Sequence, residues 1–249
     1  MDENPQRVPR SADLRLFVDV PLASGGLLEP SAAQAHYLLT VMRRRAGDEV
    51  VLFNGRDGEW LATIDPVERR RCRLAIVEQL RAQLPEPGPA LLFAPLKRVR
   101  QEFLIEKATE LGVARLEPVF TRRSVVDRIN RARFLSIAIE AAEQSGRLTV
   151  PEIDPPTSLD QRLESWPAGR LLYFGDETGA GGPLLETLRE KGPGDLLIGP
   201  EGGFTDDELA GLRRLDQVVA ISLGPRVLRA ETAALAALAC WQAVGAASA

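Results

Sequence analysis

The hexapeptide Leu84-Pro-Glu-Pro-Gly-Pro89 sets three prolines and a glycine where no helix or central strand can pass, because each proline fixes φ and lacks an amide donor. The chain must therefore be read in two parts. Before the break, Leu14–Val20 reads as a strand, and Ser31-Ala-Ala-Gln34 is a capping box opening a helix with apolar face Ala35, Leu38, Leu39 and Met42. Short strands follow. Glu49–Phe53, a turn at Asn54–Gly58, Trp60–Ile64 and Arg73–Val77 form a meander that predicts a small β-barrel over residues 1–84.

After the break, strands and helices alternate. Ala90–Ala94 is followed by a helix over Val99–Leu111 that stops at Gly112, and Val113–Phe120 by a helix over Arg128–Ser145 that stops at Gly146. Arg170–Phe174 then runs into the glycine-rich Gly175–Gly182, and Leu184–Lys191 reads as a helix leading to a strand at Asp195–Ile198. Thr205, with Glu208 three positions on, caps another helix, and a last one runs from Ala230 to about Ala243. This rhythm predicts an α/β domain of parallel βα units over residues 90–249, with 84–89 as linker. The last helix is nearly all alanine and leucine, which points to burial against the sheet or a second subunit.

Two stretches of the second part share one plan. Leu196–Thr205 and Ile221–Thr232 each pass from an apolar strand through a Gly-Pro corner into a helix start carrying acid. Such corners turn sharply out of a buried strand and leave bare main chain exposed. In open α/β sheets ligands bind beyond the carboxyl ends of the strands, so the repeated corners predict a binding cleft. The Gly-x-x-x-x-Gly-Lys phosphate loop is missing, and Leu184 stands where a dinucleotide fingerprint would need its third glycine after Gly179 and Gly181. Glu201 in the first corner would repel a phosphate; it suits ribose hydroxyls or a cationic ligand such as a sulfonium cofactor.

Composition narrows the chemistry further. One histidine, His36, and two distant cysteines, Cys72 and Cys240, supply neither a zinc ligand set nor a His-based triad, so no metal is expected. Met1–Arg7 holds no apolar run and no segment reaches ~20 apolar residues, so the expectation is a cytoplasmic protein with no membrane partner. Net charge is −4, yet residues 1–150 hold 23 Lys and Arg against 20 Asp and Glu, while residues 151–249 hold 8 against 15. Any basic partner surface lies N-terminal. Its clusters are Arg43–Arg45, Arg69–Arg71 with Arg73, Lys97-Arg98 with Arg100, and Arg122-Arg123, which could track phosphates, although short basic runs are commonly solvated faces.

Leu197-Ile-Gly-Pro-Glu-Gly-Gly-Phe-Thr205 and Leu223-Gly-Pro-Arg-Val-Leu-Arg-Ala-Glu-Thr-Ala233 strongly resemble the RsmE family of small-subunit ribosomal RNA methyltransferases, in the SPOUT superfamily. Phe93–Lys97, Lys107–Val113, Arg122–Ser124 and Ala142–Arg147 resemble its intermediate motifs, and His36–Arg43 with Ala46–Asp48 its N-terminal domain. The resemblance implies a PUA-like barrel over residues 1–84, a SPOUT methyltransferase domain over 90–249 threaded into a deep trefoil knot, and a homodimer. The reaction it implies is methyl transfer from S-adenosyl-L-methionine (SAM) to N3 of a uridine in 16S rRNA, within the small ribosomal subunit.

On that resemblance Arg229 is the expected catalytic cation, holding a uracil carbonyl as negative charge spreads from N3, with Glu231 orienting Arg229 or the cofactor. Arg229 and Glu231 could also simply pair at a helix start. Cofactor contacts are expected from Phe174 and Gly175, from Ile198, Gly199, Pro200, Glu201, Gly202 and Gly203, and from Ser222, Leu223, Gly224 and Leu228. Ile198, Leu223 and Leu228 are placed to sandwich adenine. RNA is expected on Arg15, Lys97, Arg98, Lys107, Arg122, Arg123 and Arg147, read through backbone and shape rather than sequence. Two alternatives stay open: a related enzyme acting on another RNA position, and a non-catalytic RNA-binding assembly factor.

Overall fold

The computed structural model describes residues 14–65 and 71–245. They group into two units, one reaching to Glu86 and including Ala142–Val150, the other made of Pro87–Ala141 and the chain from Pro151 onward. The expected contiguous domains are thus interrupted once. Ala142–Val150 groups with the first unit because first-unit arginines bind its carbonyls: Arg15 donates to the oxygens of Ala142, Glu143 and Arg147 at 2.6–2.9 Å, and Arg81 to that of Gly146 at 2.8 Å.

In the first unit, β1 (Arg15–Phe17), β2 (Leu27–Leu28), β3 (Glu49–Phe53), β4 (Glu59–Ile64) and β5 (Leu74–Arg81) form a sheet in the order β1-β3-β4-β5-β2. Only β1 and β3 run parallel. The strand expected at Leu14–Val20 is confined to β1, the one expected at Arg73–Val77 runs on to Arg81, and the dipeptide β2 is too short to show a period. The Ser31 capping box forms as read and starts α1 (Ala32–His36), which loosens into a π-turn over Tyr37–Val41. Ala35 and Leu38 enter a core with Leu16, Val50, Leu52, Ala62, Ile64 and Leu74, while Leu39 and Met42 pack against its edge.

The second unit contains β6 (Ala90–Phe93), α2 (Arg98–Glu110), β7 (Arg115–Phe120), β8 (Glu152–Ile153), β9 (Thr157–Ser158), α4 (Leu159–Glu164) and β10 (Leu172–Gly175). Between β7 and β8, α3 spans Arg131–Ser145, starting later than expected because Asn130 Oδ1 accepts from the amide of Arg133. Then come β11 (Gly182–Pro183), α5 (Leu184–Lys191), β12 (Asp195–Ile198), α6 (Asp206–Arg213), β13 (Val218–Ser222) and α7 (Ala230–Gly245). The strands make one parallel sheet ordered β11-β13-β10-β12-β6-β7-β8, with β9 also on β7.

That order decides the site. β10 lies between β12 and β13, with Phe174 level with Leu197 on one side and Ala220 on the other. All three strands run the same way, so the chain leaves each of them at one edge of the sheet. β6, β10 and β12 are buried almost throughout and are nearly all apolar, as strands covered on both faces require. Leu92, Phe174, Leu197, Phe204, Leu209, Leu212 and Val218 share one core, and α7 packs on α2, α5 and β12. Among the described residues, no helix is long and apolar enough to cross a membrane.

Candidate active site

Beyond the ends of β10, β12 and β13 lies a cleft of about 570 Å³, within the size range of small-molecule sites. The β10 end supplies Gly175, Asp176, Glu177, Thr178 and Gly179; the β12 corner supplies Ile198, Gly199, Pro200, Glu201, Gly203 and Phe204. The β13 corner supplies Ser222, Leu223, Gly224 and the segment through Leu228, and α7 adds Ala230 and Ala233. Ten of the twelve residues expected at the cofactor are brought together here. Phe174 is not among them: it is fully buried and meets the Phe204 ring edge-on, 6.2 Å between centroids, so it supports the cleft floor. Gly202 also stays outside the lining, its carbonyl accepting a 2.8 Å bond from Arg123.

Two glycines keep the corner bare for a steric reason. A Cβ at Gly199 would come within 2.9 Å of the Phe204 ring, and one at Gly203, where φ is +69°, would overlap the Glu177 carboxylate. The main chain is then held in place by side chains. Thr205 and Glu208 cap α6 reciprocally, and Glu208 Oε1 also accepts from the Arg122 amide at 2.8 Å. At the β10 end, burial alone would raise the Asp176 carboxyl, but hydrogen bonds from Thr178 and Arg213 outweigh it and hold the group below the usual carboxylate range.

The expected catalytic pair does not pair. Arg229 is exposed and makes no ion pair with a described residue, whereas Glu231, at the first turn of α7, is buried and faces Arg100 of α2, with Nε 3.6 Å from Oε1. Arg100 also bonds Glu201, so a single guanidinium joins the β12 corner to the start of α7. This removes Glu231 as the orienter of Arg229. The sequence puts Arg100 in a basic cluster that could track phosphates, whereas here it pairs with two acids; Glu177, Phe204 and Arg226 of the cleft lining were not expected there. The helical period held the signal for Arg100, since it lies on a different face of α2 from its neighbour Arg98.

The residues expected to meet RNA divide. Lys97 and Arg98 are exposed on the N-terminal end of α2, with Arg98 3.1 Å from Glu102. Lys107 is held between Glu106 and Glu110 at 2.8 and 2.7 Å, and Arg122 is exposed beside Asp160 at 2.8 Å. Arg123 donates to Gly202 and Phe204 carbonyls and so belongs to the β12 corner. Arg15 and Arg147 are corrections. The Arg15 side chain is 9% exposed, bonded to Glu59 at 2.7 Å and stacked 4.4 Å from the Phe53 ring centroid, and Arg147 is 8% exposed with Nη2 3.1 Å from Thr149. Neither presents its charge to solvent. Of the basic cluster at Arg69–Arg71, Arg69 and Arg70 lie outside the described residues.

Family models agree with the division of labour in the fold. An RNA methyltransferase domain matches residues 85–242, and an RNA methyltransferase PUA domain matches residues 31–77. Ribosomal RNA small subunit methyltransferase E of Rickettsia conorii is 34% identical over 228 residues, covering 90% of this chain and 93% of that protein. Two solved structures are similar throughout. A Legionella pneumophila methyltransferase in complex with SAM superposes with a TM-score of 0.82 at 32% identity, covering 93% of this chain and 97% of that one. Ribosomal RNA small subunit methyltransferase E of Neisseria gonorrhoeae bound to SAM gives 0.83 at 29% identity with the same coverage. With both parts of the chain matched, and one such relative a third identical along nine-tenths of it, the protein belongs to the ribosomal RNA small subunit methyltransferase E family.

Proposed function

We propose that the protein transfers the methyl group of SAM to N3 of a uridine in 16S rRNA of the small ribosomal subunit. The observation that carries this reading is the meeting of three strand ends in one cleft, floored by Phe204 and walled by bare glycine main chain. The cleft fits the cofactor chemically. Ile198, Leu223 and Leu228 offer apolar contact for a purine, main-chain groups of the corners can pair with its polar edge, and carboxylates suit a cation. When bound, SAM supplies an activated methyl group whose departure leaves a neutral thioether.

The chain's own contribution is alignment and charge. The uracil N3 proton is weakly acidic, and as it leaves, negative charge spreads to the flanking carbonyl oxygens. Arg229, exposed one residue before α7 and unpaired among the described residues, is available to hold one of those oxygens. Arg100 keeps Glu201 and Glu231 occupied, so neither acid competes for Arg229. Lys97, Arg98 and Arg122 remain exposed for the RNA backbone, and kinship supports a PUA-like first unit that grips RNA by shape. The same kinship supports a knotted C-terminal chain, a homodimer and a cytoplasmic setting.

The decisive experiment examines rRNA from a strain lacking the protein, with and without its restoration, by primer extension and mass spectrometry. One uridine should lose and regain a base methyl group. A methyl group on a ribose or on transfer RNA would overturn the N3 assignment, and calorimetry showing no heat with SAM would favour a non-catalytic RNA-binding factor.

A further inference from the structure

Four charged residues line the cleft: Asp176, Glu177, Glu201 and Arg226. Two of the three acids are already neutralised. Asp176 is buried against Arg213 at 2.7 Å and accepts from Thr178, and Glu201 is paired with Arg100. Glu177 makes no hydrogen bond or ion pair with any described residue. Its carboxylate rests on the bare Cα of Gly203, where a Cβ would displace it, so it stands between the β10 end and the β12 corner. Glu177 is exposed to solvent, and an unpaired carboxylate that a bound ligand covers favours a cation, because the attraction is then stronger than in open water.

We propose that Glu177 is a specificity-determining residue that makes the cleft prefer the positively charged cofactor over its demethylated product. This rests on the cofactor reading of the cleft. SAM and S-adenosylhomocysteine share adenine, ribose and the amino-acid end, and differ by one methyl group and one positive charge at sulfur. The shared parts give both compounds the same contacts. A carboxylate whose charge is not cancelled by a neighbouring cation adds attraction for SAM alone, so methyl transfer itself weakens the product's hold on the site. Asp176 and Glu201 contribute less to this preference because Arg213 and Arg100 offset them. Arg226, the remaining charged group of the lining, suits the amino-acid carboxylate that both compounds carry.

The test is calorimetry of the wild type, Glu177→Gln and Glu177→Asp with SAM, with S-adenosylhomocysteine, and with an analogue bearing a protonated amine in place of the sulfonium. Glu177→Gln keeps the shape and removes the charge. It should weaken SAM and the amine analogue by about tenfold while moving S-adenosylhomocysteine by less than about threefold. Glu177→Asp should retain the preference for the charged ligands. Equal weakening of all three, or unchanged binding, would overturn the proposal while leaving the cofactor site intact. A wild type that binds none of the three would overturn the cofactor reading along with it.

Discussion

Arg100 Nε lies 3.6 Å from Glu231 Oε1, and through the same guanidinium Glu201 is drawn to the start of α7. Glu231 is 7% exposed, and its second oxygen is buried without a hydrogen-bond partner, so Arg100 is its one ionic support among the described residues. Removing that support leaves a desolvated carboxylate alone.

Arg100→Ala should therefore lower stability by about 1–3 kcal/mol, the cost of stranding a buried charged acceptor. Combining it with Glu231→Gln should recover part of that loss. Thermal melts of the two single variants and the double variant measure the coupling, and strictly additive losses would show that the contact carries no energy. Calorimetry should also find weaker SAM binding in Arg100→Ala, because the β12 corner loses its tie to α7.

Arg229→Ala should keep SAM affinity within about threefold and cut turnover by about 10²–10³-fold, the range seen on deleting a donor aimed at developing oxyanion charge. Arg229 lies outside the cleft lining and, among the described residues, has no ion-pair partner to disturb. A variant with normal turnover would remove its catalytic assignment.

Arg122 and Arg123 should separate although they are neighbours. Arg122 is exposed, so Arg122→Glu should weaken methylation of the ribosomal subunit with little change in cofactor binding. Arg123 bonds the carbonyls of Gly202 and Phe204, so Arg123→Glu should weaken SAM binding itself, even without RNA. Cofactor titrations of each single variant decide this; identical behaviour would refute the division.

Glu59→Gln should destabilise the first unit. Its carboxylate is 1% exposed and bonds Arg15 at 2.7 Å and Arg81 at 2.6 and 2.9 Å. Burial alone would raise the carboxyl, but the two guanidinium groups outweigh it and hold Glu59 below its ordinary value of 4.5. A depressed folded value means that the stabilisation is complete above about pH 4.5, declines below it and is gone once acid carries the pH past the lower folded value. The wild type should lose stability steeply in that range, and Glu59→Gln, weaker by about 3 kcal/mol or more near neutrality, should show a shallower acid dependence. An acid profile unchanged by the substitution would exclude Glu59 as the titrating group.

Local chemistry made much of this fold readable. The capping boxes at Ser31 and Thr205, the helix at Leu184–Lys191 and the strand at Asp195–Ile198 form where the sequence predicts them, because caps and short apolar runs act within a few residues. The glycine corners were legible for the same reason. The roles of the arginines were not. Arg15 stands in a strand like any surface cation, yet its partners Ala142, Glu143 and Arg147 lie 127–132 residues away, and Arg100 meets Glu201 from 101 residues off.

By itself the sequence determined which segments could be strand, helix or corner, since propensity, capping and proline act on neighbouring backbone. Tertiary structure alone decided that β10 sits between β12 and β13, and hence that three separate corners share one cleft. It also decided which cations are spent inside the protein and which stay free for a ligand. The physical reason is that strand order and ion pairing are settled by burying apolar surface and satisfying polar groups between distant parts of the chain, which no local pattern records.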